Sequence, residues 1–149
     1  MERKMDFESS MKISASGMAA HRAWMNVLSS NLANVNTTRA ANGKPYERRT
    51  IVYESTPVPE EFDAVLQNTM DEDIQKVKVV EIVPDGRGFK KVHDPGHPDA
   101  DADGIVEMPN VNPVEEMANL LTATRSYEAN LAALNIAKQM AMKAIEIGK

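Results

Sequence analysis

A chain of 149 residues with a net charge of −5 and only 5% aromatic residues is long enough for one domain but short of the large side chains that fill an ordinary globular core. The acidic balance, with a pI near 5.2 and no basic patch to offset it, excludes nucleic-acid binding that rests on neutralised phosphates. The absence of cysteine excludes disulfides, thiolate chemistry and cysteine-held zinc or iron–sulfur sites.

Met1 to Lys4 reads as a polar leader without the basic-then-apolar pattern of a cleaved signal peptide, and no apolar run in the chain approaches transmembrane length. Ordinary rules therefore place the protein in the cytoplasm unless a specialised export route takes it. From Asp6 the pattern is helical, with no proline before Pro45. Met11, Met18, Met25 and Leu32 recur every seven residues, and Ser14, His21, Leu28 and Val35 lie three further on, an a/d seam of about four heptads. Methionine packs adaptably along such seams. Intrinsic propensity is weak, because Ser9, Ser10, Ser14, Ser16, Gly17, Asn26, Ser29, Ser30, Asn31 and Asn34 favour caps and turns. His21, on the apolar side, is expected to be a hydrogen-bonded core residue.

Asn36 to Pro45 is a turn-rich link. Tyr46 to Tyr53 alternates as a strand that Pro57 and Pro59 end, and Phe62 to Met70 is ambiguous between strand and helix. Gln75 to Val83 is the clearest strand; after the Pro84-Asp85-Gly86 turn, Gly88 to Val92 is placed to pair back as a hairpin. Residues 54 to 103 hold thirteen of the 22 acidic residues, so the negative charge gathers in this middle section.

The last segment opens on Asn112 as N-cap, Pro113 at the first helical position and Glu115 three residues past the cap, where its carboxylate can reach back to the Asn112 N–H. Glu115 and Glu116 also complement the positive end of the helix dipole. No glycine or proline follows until Gly148, a natural stop. This helix would be roughly 50 Å long, more than a compact domain of this size covers. Met117, Leu120, Thr124, Tyr127, Leu131, Leu134, Lys138, Ala141 and Ile145 form its stripe, with alanines on the remaining faces. The expected architecture is mainly α with a small β module. An N-terminal coiled-coil helix (1–36, leader 1–5) pairs antiparallel with a C-terminal one (112–149), and a linker and β-rich insertion (37–111) lies between them.

Little here carries chemistry. Asp99, Asp101, Asp103 and Gly104 match the first half of an EF-hand loop, but position 12 is Asn110 rather than glutamate, and Pro95 and Pro98 leave no entering helix. His93 and His97 are separated by a Pro-Gly break, and Glu60-Glu61 and Asp71-Glu72-Asp73 read as solvated acids. With no phosphate loop and no nucleophile–histidine grouping, the residues give no support for catalysis, a metal, a cofactor or a small-molecule substrate.

Ser29-Ser30-Asn31-Leu32-Ala33-Asn34-Val35-Asn36-Thr37 resembles the "S-S-N-L-A-N-x-x-T" signature of bacterial flagellar rod and hook proteins, and Pro45-Tyr46-Glu47-Arg48 resembles the "P-Y-x-R" segment that follows it. The blocks Asp94 to Gly104, Met108 to Met117 and Arg125 to Asn130 are similar to those of the proximal-rod members. The resemblance runs from about Met11 to Ile147 and passes over the leader and the middle section 54–92. It implies a structural subunit of the basal-body rod, the drive shaft that transmits torque and encloses the export channel, exported without a cleaved signal. Implied partners are other copies of the chain, the rod proteins FlgB, FlgF and FlgG, the rod-base adaptor FliE and, transiently, the type III export apparatus. Implied interface residues on the first helix are Met11, Met18, Met25, Leu28, Asn31, Leu32, Asn34 and Val35, the asparagine amides bonding adjoining subunits and ending the helix. Tyr46 and Arg48 follow, then Pro113, Val114, Met117, Leu120, Leu121, Arg125, Tyr127, Glu128, Asn130, Leu131, Leu134 and Ile145. The competing class is a self-contained cytoplasmic helical hairpin that binds calcium or another protein.

Overall fold

The computed structural model describes residues 7–57 and 75–148. The leader and the ambiguous Phe62–Met70 segment lie outside the described residues. Two long helices carry the chain: α1, Phe7–Ala33 with 27 residues, and α2, Pro113–Ile147 with 35. Between them come four strands, β1 (Arg49–Pro57), β2 (Gln75–Pro84), β3 (Lys90–His93) and β4 (Ile105–Met108). None of the described helices is long and apolar enough to cross a membrane.

Asn112 caps α2 by accepting from the Val114 N–H at 3.1 Å, and Pro113 occupies the first turn. The expected return bond from Glu115 to the cap is not made; that carboxylate turns outward to Arg87, whose guanidinium is a stronger donor than an amide. α1 ends at Ala33, where Asn34 folds its side chain back to donate to Ser30 O at 2.8 Å. Val35, expected on the seam, therefore lies beyond the helix.

The helices run antiparallel: Asn31 meets Glu116, Met25 meets Thr124, and Gly17 meets Asn130. At about 1.5 Å per residue α2 is ~52 Å long. Its buried positions are Glu116, Ala123 and Ala137, seven or fourteen apart, with Leu120, Asn130, Tyr127, Leu134 and Ala141 half-buried beside them. The expected stripe is thus half right in rotation. Leu120, Tyr127, Leu134 and Ala141 turn inward, whereas Met117, Leu131 and Ile145 face solvent, because small and polar residues hold the alternate inner positions and let the backbones approach. Across from them α1 buries Ala20, Val27, Leu28 and Asn31. His21 is half-buried 6.2 Å from Trp24, and its Nδ1 is buried with no hydrogen-bond partner among the described residues, since the surrounding apolar seam supplies none.

β1 and β2 form an antiparallel ribbon from Arg49↔Pro84 to Pro57↔Gln75, with one register shift beside Val52 that leaves Val80 as an extra residue. It lies on α1, where the Val77 N–H donates to Ser16 Oγ at 3.3 Å. The expected hairpin of Gly88–Val92 with β2 does not form. The Asp85 N–H is held by Arg48 O at 2.7 Å and Arg87 is drawn to Glu115, so the chain leaves the ribbon toward the start of α2. β3 pairs instead with β4, Lys90↔Met108 to His93↔Ile105, which buries Val106.

Candidate functional site: a charged knot between the helices and the ribbon

The sequence blocks singled out above converge on one place. Asn31 is fully buried on the last turn of α1 and uses its whole hydrogen-bonding capacity there. Its Nδ2 donates to Glu116 Oε2 and to Arg49 O, both at 2.9 Å, while its Oδ1 accepts from the Arg49 N–H and from Tyr46 Oη, also at 2.9 Å. Glu116, 1% exposed in the first turn of α2, takes its second partner from Arg48, whose Nε donates to Oε1 at 2.7 Å. The carboxylate also sits near the positive end of the α2 dipole, which offsets part of its desolvation.

Arg48 is positioned by its own backbone. Its N–H donates to Asn110 Oδ1 at 2.7 Å and its carbonyl accepts from Asp85 N at 2.7 Å. The guanidinium continues to Asp85 Oδ2 at 2.9 Å and approaches Glu115 at 3.9 Å. Around this core Arg87 closes an exposed collar, with 2.8 Å to Asp85 and 3.1 Å to Glu115. Asn110 Nδ2 caps the turn by donating to Arg87 O at 2.7 Å and Asp85 O at 3.3 Å. Burial raises the Asp85 carboxyl, but the hydrogen bonds from the Arg87 side chain and backbone and from Arg48 outweigh it and hold the group below its ordinary value. The Arg87 hydrogen bond does the same to Glu115, and Glu115 in turn raises Arg87.

The residues expected at subunit contacts fall into three groups. Leu28, Asn31 and Arg48 are buried inside this chain, so Asn31 has no amide left for an adjoining subunit. Met11, Met18, Met25, Leu32, Asn34, Val35, Tyr46, Leu120, Tyr127, Asn130 and Leu134 are half-buried. Pro113, Val114, Met117, Leu121, Arg125, Glu128, Leu131 and Ile145 are exposed. Sequence reasoning missed Asp85, Arg87 and Asn110 and read Glu116 only as a dipole charge. The signal that could have found Glu116 is its place in the seven-residue series with Ala123, Asn130 and Ala137.

The acidic loop spends its carboxylates on the protein itself. Asp101 Oδ1 accepts from the N–H groups of Asp103 and Ile105, at 3.0 and 2.8 Å, and Asp99 accepts from Thr38 Oγ1 at 2.8 Å with Arg39 at 3.7 Å. Among the described residues no group of three or more histidine or acidic side chains is arranged to hold a metal ion.

Two family models match the chain. One, described as "Flagella basal body rod protein", covers residues 11–40, and the other, "Flagellar basal body rod FlgEFG protein C-terminal", covers residues 102–147. The chain is similar over nearly its whole length to proteins named "Flagellar basal-body rod protein FlgC". That of Bacillus subtilis (strain 168) is 46% identical over 147 residues, 94% of this chain and 97% of the relative. That of Aquifex aeolicus (strain VF5) is 39% identical over 145 residues, covering 97% and 99%. That of Salmonella typhimurium is 36% identical over 137 residues, covering 92% and 94%.

Proposed function

The chain belongs to the flagellar basal-body rod protein FlgC family, and from that premise we propose that it is a structural subunit of the proximal rod that polymerises through its two helices. The observation that carries the mode of assembly is the outer face of α2. Val114, Met117 and Leu121 near its start, and Leu131, Ile136, Met140, Ile145 and Ile147 toward its end, are all at least 41% exposed. A soluble monomer rarely leaves so much large apolar surface along one helix, and neighbouring helices would cover it. Repeated contacts between unlike surfaces build an open tube when they follow a helical path that does not close into a ring, as a hollow drive shaft requires.

In this reading the α1–α2 pair is a coiled-coil element of the tube wall and the section 37–111 lies between the helices as the outward module. Torque passes through many modest contacts in parallel, so summed burial outweighs any one pair. Other rod proteins, the rod-base adaptor and the export apparatus are the neighbours, and export proceeds without a cleaved signal. The test separates outer from inner positions. Leu131→Asp, on the outer face, is expected to leave far-UV circular dichroism of the purified chain unchanged yet remove it from isolated basal bodies and abolish swimming. Leu134→Asp, half-buried toward α1, should unfold the subunit as well. A swimming Leu131→Asp strain with the chain present in its basal bodies would overturn the assignment of this face.

A further inference from the structure

We propose that Asn31, Arg48 and Glu116 form a conformational latch: α1 and α2 close in their native register only when residues 45–49 are seated between them, so that helix pairing and ribbon docking occur as one event. The latch concerns the subunit's own folding and does not rest on assembly into a rod.

The first ground is the chemistry of Glu116. Its buried carboxylate has two protein donors, Arg48 Nε at 2.7 Å and Asn31 Nδ2 at 2.9 Å, and they come from different elements. A buried ion pair adds little net stability, whereas a buried charge that loses its partner is strongly unfavourable. Closing α2 onto α1 without Arg48 would leave such a charge facing an amide alone. The helices therefore close readily only after Arg48 arrives.

The second ground is the poverty of the remaining seam. Gly17, Ala20, Ala123 and Ala137 present small surfaces that discriminate weakly between registers, and a slip of one heptad would only set Ala137 in place of Asn130 against Gly17. The same slip would bring Asn31 against Ala123 and strand Glu116 away from both donors. Register information is thus concentrated at the Asn31–Glu116 contact, the role best attested for buried polar groups between helices.

The third ground is how Arg48 is delivered. Its backbone is held on both sides, by Asn110 through its N–H and by Asp85 through its carbonyl, and the next residue begins β1 opposite Pro84 at the end of β2. Arg48 reaches Glu116 only when the start of β1, the end of β2 and the turn before α2 are together. Closure of the helices consequently reports the state of the ribbon.

Hydrogen exchange of the purified full-length chain tests this. In wild type the amides of α1, α2 and β2 are expected to share one opening equilibrium. Arg48→Met should speed exchange in all three by about tenfold or more, because an orphaned charge opens them together. In Arg48→Met/Glu116→Met the charge is gone with its partner, so helix protection should return to within about threefold of wild type while β2 stays about tenfold faster. An ion pair with no part in coupling the ribbon to the helices predicts instead that helix and β2 protection recover together in the double variant. The latch is overturned if Arg48→Met leaves helix protection intact, if the double variant fails to restore it or restores β2 as well, or if wild-type helices and ribbon exchange independently.

Discussion

Replacing Asn31 with leucine keeps its branched shape, opens no cavity and removes its amide, which makes the cost readable chiefly as hydrogen bonding. Four bonds are lost, two to the Arg49 backbone, one from Tyr46 and one to Glu116. Neutral bonds contribute about 1 kcal/mol each and one to a charged group about 1.5–3, so the bare sum is ~5 kcal/mol. Water reaching the partly exposed Tyr46 and Arg49 groups lowers this, and ~3–4 kcal/mol is the expected loss. For 149 residues the total stability is on the order of 10 kcal/mol, and the unfolding entropy of ~0.3 kcal/mol/K converts the loss to a fall of about 10 °C in Tm. Urea titration followed by circular dichroism should show a lower midpoint with an unchanged slope. Asn31→Asp should be at least as harmful, since it sets a second carboxylate beside Glu116. A leucine variant within about 1 kcal/mol of wild type would refute the idea that this amide is saturated and shielded from water.

Three further outcomes follow from other parts of the molecule. Gly104 has φ +71°, and a Cβ there would lie 2.9 Å from Pro95 Cγ, so Gly104→Ala should cost about 2 kcal/mol or more, seen as a lower midpoint in thermal unfolding. At Gly17 a Cβ would meet only the Asn130 side chain, at 2.9 Å. Gly17→Ala should fall within about 1 kcal/mol of wild type because better helix propensity offsets the shift of Asn130, whereas Gly17→Leu should destabilise by about 1–3 kcal/mol through overpacking. The depressed carboxyls of Asp85 and Glu115 make the third case. Their folded values lie below the unfolded 3.8 and 4.5, so the unfolded chain binds protons first as pH falls. Their contribution is complete above those values and is lost below them; stability measured from pH 7 to 3 should drop at the acid end, and less so in Arg87→Gln.

The ends of the chain were legible because local chemistry fixes them. Asn112 and Pro113 announce the start of α2, Gly148 its end, and the serine- and asparagine-rich stretch before Asn36 the end of α1. The calcium-like loop folds on itself, since Asp101 accepts from the backbone N–H groups two and four residues on, a local bond that aspartate favours. The strand partners did not emerge, because pairing depends on where the chain is carried after Pro84. That is decided by Arg48 and Glu115, residues distant in sequence. Nor did the knot, for a single arginine or glutamate looks the same in sequence whether it is solvated or buried. Only the meeting of α1, residues 45–49 and the first turn of α2 makes Asn31, Arg48 and Glu116 one group.

The misrotated stripe on α2 carries the larger point. Periodicity ranks positions by size and apolarity, which assumes that the most apolar edge of a helix is the one its own chain buries. Here Glu116, Ala123, Asn130 and Ala137 share the inner face with Leu120, Tyr127 and Leu134 and supply its close approach and register, while Met117, Leu131 and Ile145 one step round the helix stay exposed. Two neighbouring edges of one helix thus answer different demands. The inner one must specify a single partner in a single register, which a charge and an amide do better than leucines that pack almost anywhere. The outer one must gain binding energy from many repeated contacts, which large flexible apolar side chains supply. A subunit whose inner edge were the more apolar would close more tightly on itself, and would leave less surface for the neighbours that the rod reading requires.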